Sequence, residues 1–521
     1  MDVRRAILLV AAFGSACTFA GAQGTWRVSV DSSGIQGNGH SDWASISADG
    51  RFVAFESDAT NLVSGDTNGW VDVFVHDRQT GATTRVSVDS SGGQGNDTSY
   101  LPSISADGRF VAFGSLARNL VPGDTNGYTD VFVHDRQIGT TTLVSVDSSG
   151  GQGNDTSYDP SISADGRLVA FASYATNLVP GDTNRRLDVF VHDQKSGTTT
   201  QVSVDSSGGQ GNNHSYVPSI SADGRFVAFD SYATNLVPGD TNSKLDVFVH
   251  DQKSGTTTRV SVDSSGVEGN GFSTQASISA DGGLVAFWSV ATNLVQGDTN
   301  FAPDVFVHSL QTGTTRRMSV DSSGNQGNHD SLSPTISGTG RFVAFISRAT
   351  YLVPGDTNNA ADVFVRDRMT RTTVRVSVDS SGNQGNLNCN HPSICTDGRF
   401  VAFESQATNL VPGDTNGVYD VFVHGPYLTL EASPETVSAG ATIAFTTWKG
   451  LAGGCVLLTM VDINGTPMWG VAIDTFDVDG LWTLSGTVPP GLSGNVVTYL
   501  SVGFAPTGEL QLTNLETVTF Q

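Results

Sequence analysis

The sequence predicts an all-β protein: a seven-bladed β-propeller, its ring closed by the N-terminal strand, followed by a small C-terminal β-sandwich. Three observations carry this. The tetrapeptide GDTN recurs seven times, with its Asp at 66, 124, 182, 240, 298, 356 and 414, always 58 residues apart. Each period holds four strand signals separated by Gly, Asp and Asn turns. The repeat is also cut out of phase. The segment Trp26-Arg27-Val28-Ser29-Val30-Asp31 stands first without the three strands that precede it elsewhere, and the last unit stops at His424 without its fourth strand. Fixed-period self-similarity marks a repeat architecture. Joining the leading strand to the last unit removes the exposed sheet edges of an open ring.

Taken in order, residues 1–22 have the form of a secretory signal peptide, with Arg4 and Arg5, an apolar run, and Ala20-Gly21-Ala22 as a small-residue cleavage site. They place the protein outside the cytoplasm: secreted, periplasmic or at the cell surface. Residues 23–426 form the propeller. One unit reads Pro102-Ser103-Ile104-Ser105, then Arg109-Phe110-Val111-Ala112-Phe113, then Asp130-Val131-Phe132-Val133, then a fourth strand containing Val144-Ser145-Val146. The second and third strands are apolar on both faces, so each sheet must be covered on both sides. The fourth alternates, as an outer strand with one wet face should. Strand directions alternate within a blade, so the two long connections, second to third strand and fourth to the next blade, emerge on one face. Loops on a rigid scaffold are where binding sits, and this long-loop face is the expected functional surface. Residues 427–521 lose the repeat, carry one basic residue (Lys449), and break into strand-like runs at Asn464-Gly465, Asp479-Gly480 and Thr507-Gly508. They read as an immunoglobulin-like sandwich.

Composition narrows the partners. The 521 residues carry 27 Lys plus Arg against 51 Asp plus Glu, a net charge of −24. Phosphate neutralisation needs clustered cations, so nucleic acid is excluded as a partner. No segment is long and apolar enough for a transmembrane span. The expected partner is an extracellular protein or glycan bound by a monomer, and so acidic a surface also attracts divalent cations.

Pro102 to Phe113 follows the pattern P-x-x-S-x-D-G-R-x-V-A-F, and its six counterparts keep most of it. This resembles the TolB-type, WD-repeat-like β-propeller repeat family in a secreted bacterial form, and the resemblance covers roughly residues 26–424. It implies the fold and is nearly silent on function. Gly283 departs from the pattern in blade five, and Gly338-Thr339-Gly340 in blade six.

Each GDTN box is followed by the Asp that opens the third strand, giving D-T-N-x-x-x-D. Carboxylate and amide oxygens at this spacing resemble the early half of a calcium loop; the alternative is that they serve Asx-turns. The candidate Ca²⁺ ligands are Asp66, Asn68 and Asp72, then Asp124, Asn126 and Asp130, then Asp182, Asn184 and Asp188, then Asp240, Asn242 and Asp246, then Asp298, Asn300 and Asp304, then Asp356, Asn358 and Asp362, and finally Asp414, Asn416 and Asp420. Specificity requires positions that differ between blades. These give Trp70, Tyr128, Arg185, Arg186, Lys244 and Phe301 after the boxes, and Tyr100, Tyr158 and Tyr216 before the first strands, as candidate ligand-binding residues. The His of the third strands recurs around the ring and is assigned a structural hydrogen bond. Cys389 and Cys395 replace two Ser of the repeat together, which suggests a disulfide. No catalytic residue is assigned. The expected function is a non-catalytic binding module, with an extracellular polysaccharide hydrolase or lyase, or a structural envelope or matrix protein, as alternatives.

Overall fold

The computed structural model describes residues 23–426 and, beyond them, the backbone of six strands between Thr442 and Thr519. The expected signal segment 1–22 and Cys455 lie outside the described residues. The six C-terminal strands pair into a two-stranded sheet, Thr442–Lys449 with Leu481–Thr487, and a four-stranded one ordered Thr466–Met468, Val461–Ile463, Val496–Phe504, Leu510–Thr519. Residues Thr25–Gly425 form a separate compact unit. Among the described residues no helix is long and apolar enough to cross a membrane.

That unit is a ring of seven antiparallel four-stranded sheets. In blade two the strands run Ser99–Ile104, Phe110–Ser115, Asp130–Asp135 and Thr140–Leu143 from the axis outward. In blade seven the first three are Cys389–Ile394, Val401–Ser405 and Asp420–Gly425, and the outermost is Gly24–Arg27 from the chain's other end. The Val28 N–H donates to Val421 O (2.8 Å), and Ser29 Oγ to Asp420 Oδ1 (2.6 Å). The ring is closed as the phase of the repeat predicts.

The second and third strands are apolar on both faces because each blade is packed between two others. Ala112, Val131, Val133 and Val144 of blade two meet Ile162, Val169, Phe171, Ala175 and Leu178 of blade three in one buried cluster. Within each sheet a phenylalanine pair such as Phe113–Phe132 stacks at 6.0 Å. Gly108 serves both the turn and the seam. Its φ is +72°, and a Cβ there would stand 2.2 Å from Phe52 of the preceding blade. Near the axis the short turns are linked by backbone bonds, Ala48 N–H to Ala106 O, Ala106 N–H to Ala164 O and onward, back to Thr396 N–H donating to Ala48 O. Where Gly338-Thr339 interrupts the repeat, the donor moves to the Thr339 N–H and the chain of bonds persists.

Two repeat departures are compensated together. In blades one to four and six the Arg of the first turn grips the Asp that ends the third strand, as Arg109 does Asp135 through two bonds of 2.9 and 2.7 Å; in blade seven that strand ends in Gly425 and Arg399 pairs with Asp397 (2.6 Å). Blade five has Gly283, and there the Asp is Ser309, so no buried acid loses its partner. The outermost strand differs from its expected bounds. It ends at Leu143: the Val144 N–H still donates to Val131 O (2.9 Å), but the Val131 N–H turns to Ser145 Oγ (3.1 Å), which donates to Asp130 (2.6 Å). A hydroxyl has replaced a backbone rung.

Deleting residues 23–29 removes Arg27 and Ser29 from Asp420 and opens a sheet edge. The expected cost is about 3–5 kcal/mol, that of breaking a buried ion pair, together with concentration-dependent self-association. Denaturant unfolding and sedimentation velocity check this; an unchanged monomer with unchanged stability contradicts the closure.

Candidate functional site

The long-loop face is organised by the Asp that opens each third strand. Asp72 has no solvent exposure. Its Oδ1 accepts Ser87 Oγ (2.6 Å), and its Oδ2 accepts Asn68 Nδ2 (3.2 Å), Gln94 Nε2 (3.0 Å) and Arg85 Nη1 (3.2 Å). Gln94 also donates to Asp66 (2.8 Å), so one amide ties the two long loops together. In every blade the Asn oxygen accepts the N–H two residues on, as Asn68 does from Trp70 (2.9 Å). The Asn of each box is therefore spent on an Asx-turn and presents nitrogen, not oxygen, to the neighbouring carboxylate in blades one to four, six and seven.

Blade four differs. Glu268 stands where blade one has Gln94, and Asp240, Asp246 and Glu268 each place an oxygen within 4.8 Å of the others. This acidic group has the composition to hold a metal ion, with Arg259 already 2.6 Å from Glu268. The third-strand histidines carry out the structural role expected of them. His76 Nδ1 shares a 2.9 Å hydrogen bond with Thr83 Oγ1, and burial pushes its pKa down to about 4. Arg366 bonds Thr373 in the same way in blade six.

A second centre lies where the seven innermost strands surround the axis. Each breaks register after its second residue: Tyr100 pairs with Gly114, but Ser103 with Ala112. The residue at the break is left-handed, φ 39° to 54°, at Trp43, Leu101, Asp159, Val217, Gln275, Ser333 and His391. Leaving the ladder frees its N–H. In three seams a carboxylate on the second strand of the preceding blade takes it: Glu404 from Trp43 (2.9 Å), Glu56 from Leu101 (2.6 Å), and Asp230 from Gln275 (2.7 Å).

The seam of blades seven and one is the most elaborate. Glu404 is buried and uses its other oxygen to hold His391 Nδ1 at 2.7 Å. The His391 ring stacks on Trp43 with centroids 3.7 Å apart, and Trp43 is 39% exposed. Beside them Asp42 Oδ1 is buried without a hydrogen bond. Burial, then the charge of Glu404, raises Asp42 to about 6; burial raises Glu56 to about 7. Across the axis burial likewise lifts Asp159 to about 6 and Asp230 to about 7.

The nine sequence-predicted ligand residues separate into two sets. Tyr100, Tyr158 and Tyr216 are on innermost strands at this axial centre, where Tyr216 packs edge-on against Tyr232. Trp70, Tyr128, Arg185, Arg186, Lys244 and Phe301 sit farther out on the loops before the third strands. Arg185 and Phe301 hold left-handed turn positions, and Phe301 is 89% exposed. Arg186 Nη1 lies 3.3 Å from His214 Nε2. Sequence reasoning missed Trp43, Glu56, Asp159, Asp230, His391 and Glu404. Aligning the repeats carried the signal: after FVAF or LVAF the blades read Glu56, Gly114, Ala172, Asp230, Trp288, Ile346 and Glu404, acids on an otherwise buried strand. The disulfide expectation is corrected. Cys389 and Cys395 are both free, buried, and at opposite ends of one extended strand; six residues of strand span about 20 Å. Cys389 Sγ faces Ser405 Oγ (3.2 Å), and burial pushes both thiols up to about 12.

No protein-family model and no curated protein matches the chain. Among solved structures it is similar to TolB from Acinetobacter baumannii (15% identity, covering 75% of this chain and 81% of that one, TM-score 0.36). It is similar also to an oligogalacturonate lyase in complex with manganese (14%, 79% and 96%, TM-score 0.46), and to the β-propeller domain of the trilobed protease from Pyrococcus furiosus (8%, 74% and 95%, TM-score 0.46). At these identities the likeness is one of fold. The non-catalytic reading is corrected: the solved structures similar to the chain include an oligogalacturonate lyase and a domain of a protease as well as TolB.

Acids raised by burial bind protons more tightly folded than unfolded, so Asp42 and Glu56 contribute stability below about pH 4 that is lost as pH rises through about 6 and 7. Glu56→Gln keeps an oxygen for the Leu101 N–H. It is expected to stabilise by on the order of 2 kcal/mol at pH 8 and to change little at pH 4. Melts across that range check the sign; equal shifts at both pH values contradict it.

Proposed function

We propose that the axial centre of the long-loop face is an acid–base active site acting on an uncharged, ring-bearing substrate outside the cytoplasm. The observation that supports it most is the buried Glu404 holding His391 Nδ1 at 2.7 Å. A carboxylate on one ring nitrogen fixes the tautomer and leaves Nε2, which has no partner among the described residues, to take a proton from the reacting group. Asp42, raised to about 6, still holds a proton in mildly acidic solution, where an ordinary Asp has lost it, and gives it up to a developing negative charge. Trp43 offers a partly exposed indole face on which a sugar or aromatic ring stacks. As pH rises through about 6 and 7 Asp42 and Glu56 become negative and repel anions from the same place, which favours a neutral substrate. The reading of residues 1–22 as an export signal supports the location.

The full chain, assayed on a panel of neutral aryl glycosides, esters and amides, is expected to turn over one class. His391→Ala should lower kcat at least about a hundredfold. Glu404→Gln should lower kcat and move the pH profile, while Ile138→Ala on the opposite face should change nothing. Full activity in His391→Ala, or no turnover of any class, overturns the proposal.

A further inference from the structure

The sevenfold repeat supplies its own controls for one position. In blades one, four, five, six and seven, the outermost strand ends in an Arg whose Nη1 stands between the two Asp of the long loops. Arg85 is 3.4 and 3.2 Å from Asp66 and Asp72; Arg317 is 3.8 and 3.0 Å from Asp298 and Asp304. Arg259, Arg375 and Arg27 do the same at 3.5 to 3.8 Å. In blades four and five the same guanidinium also reaches the carbonyl of the box Gly, Gly239 or Gly297, at 3.3 and 3.2 Å.

Blades two and three have Leu143 and Gln201 at that register position, opposite Phe132 and Phe190. Leu143 packs against the apolar seam, and Gln201 Nε2 donates to Ser203 Oγ. Yet both blades keep the paired acids. Asp130 and Asp188 have no exposure, and Asp124 and Asp182 have 8%. A neutral amide joins each pair, Gln152 at 2.7 and 2.8 Å and Gln210 at 2.7 and 3.3 Å. Asp182 Oδ2 is buried without any hydrogen bond. Two carboxylates buried without a positive partner are costly, and in five sister blades a guanidinium supplies the positive charge.

We infer that blades two and three each bind a divalent cation, calcium being the test ion, between Asp124 and Asp130 and between Asp182 and Asp188, in the place a guanidinium fills in the other five. The donors are hard oxygens: two carboxylates and, by equivalence with Gly239 and Gly297, the carbonyls of Gly123 and Gly181. Such a set suits calcium, whose remaining positions accept water. Repetition made all seven boxes equal in the sequence; the Arg separates them.

The test is calcium titration of the chelator-treated full chain by calorimetry and native mass spectrometry, with melts alongside. Two calcium ions per chain are expected, with Tm rising on the order of 5 °C at saturation. The double variant Leu143→Arg/Gln201→Arg supplies the missing guanidinium. It should bind none and melt, without calcium, at or above chelated wild type. Should that variant fail to fold, Asp182→Asn alone is expected to leave one ion. Absence of calcium binding by wild type overturns the inference. So does binding that survives the arginines, or that is lost in Glu268→Gln, which would place the ion in blade four instead.

Discussion

A carboxylate cut off from solvent begins the third strand of every blade, and the long-loop face is built around it. Burying such a charge is expensive unless hydrogen bonds surround it. Asp72 meets that demand with Ser87 from the segment after the outermost strand, Asn68 from its own loop and Gln94 from the connection to the next blade. Three segments of one repeat are thereby fixed to one carboxylate. The repeat of Asp, Asn, Gln and Ser follows from this requirement. Residues that repeat seven times mostly hold the frame, and chemistry falls to those that do not.

The departures from the repeat collect in two places. Around the axis, each innermost strand turns through a left-handed residue and frees an N–H. Glu56, Asp230 and Glu404 answer it in three seams. Four desolvated acids at the axial centre raise one another or are raised by burial alone, so this end of the ring holds protons at a pH where surface carboxylates do not. His391 is pinned there by Glu404 against Trp43. Farther out, the presence or absence of one Arg sets the charge balance of each loop pair.

Much of the fold was legible because the period is strict. A uniform spacing with a displaced first strand implies a closed ring, and strands apolar on both faces imply packing between neighbours. The bounds of the outermost strand were not legible, since a Ser hydroxyl substituting for a ladder bond leaves the alternation of Val144-Ser145-Val146 intact. Nor was the left-handed break: Trp43, Leu101, Val217 and Gln275 are not residues that signal positive φ. At the axial centre, sequence variation between blades drew attention to the positions of the three tyrosines, but not to Glu404 and His391. Their partnership spans two strands and was visible only by comparing the FVAF segments position by position. Cys389 and Cys395 misled because paired replacement says nothing about distance along an extended strand.

The most direct measurement is the unfolding free energy of Asp72→Asn beside wild type, at one pH and with denaturant as the only variable. The variant places an amide donor among the donors of Ser87, Asn68, Gln94 and Arg85. The expected result is a loss of about 3–5 kcal/mol, that of breaking a buried ionic network. An unchanged unfolding midpoint would contradict the claim that the buried carboxylate holds the face together.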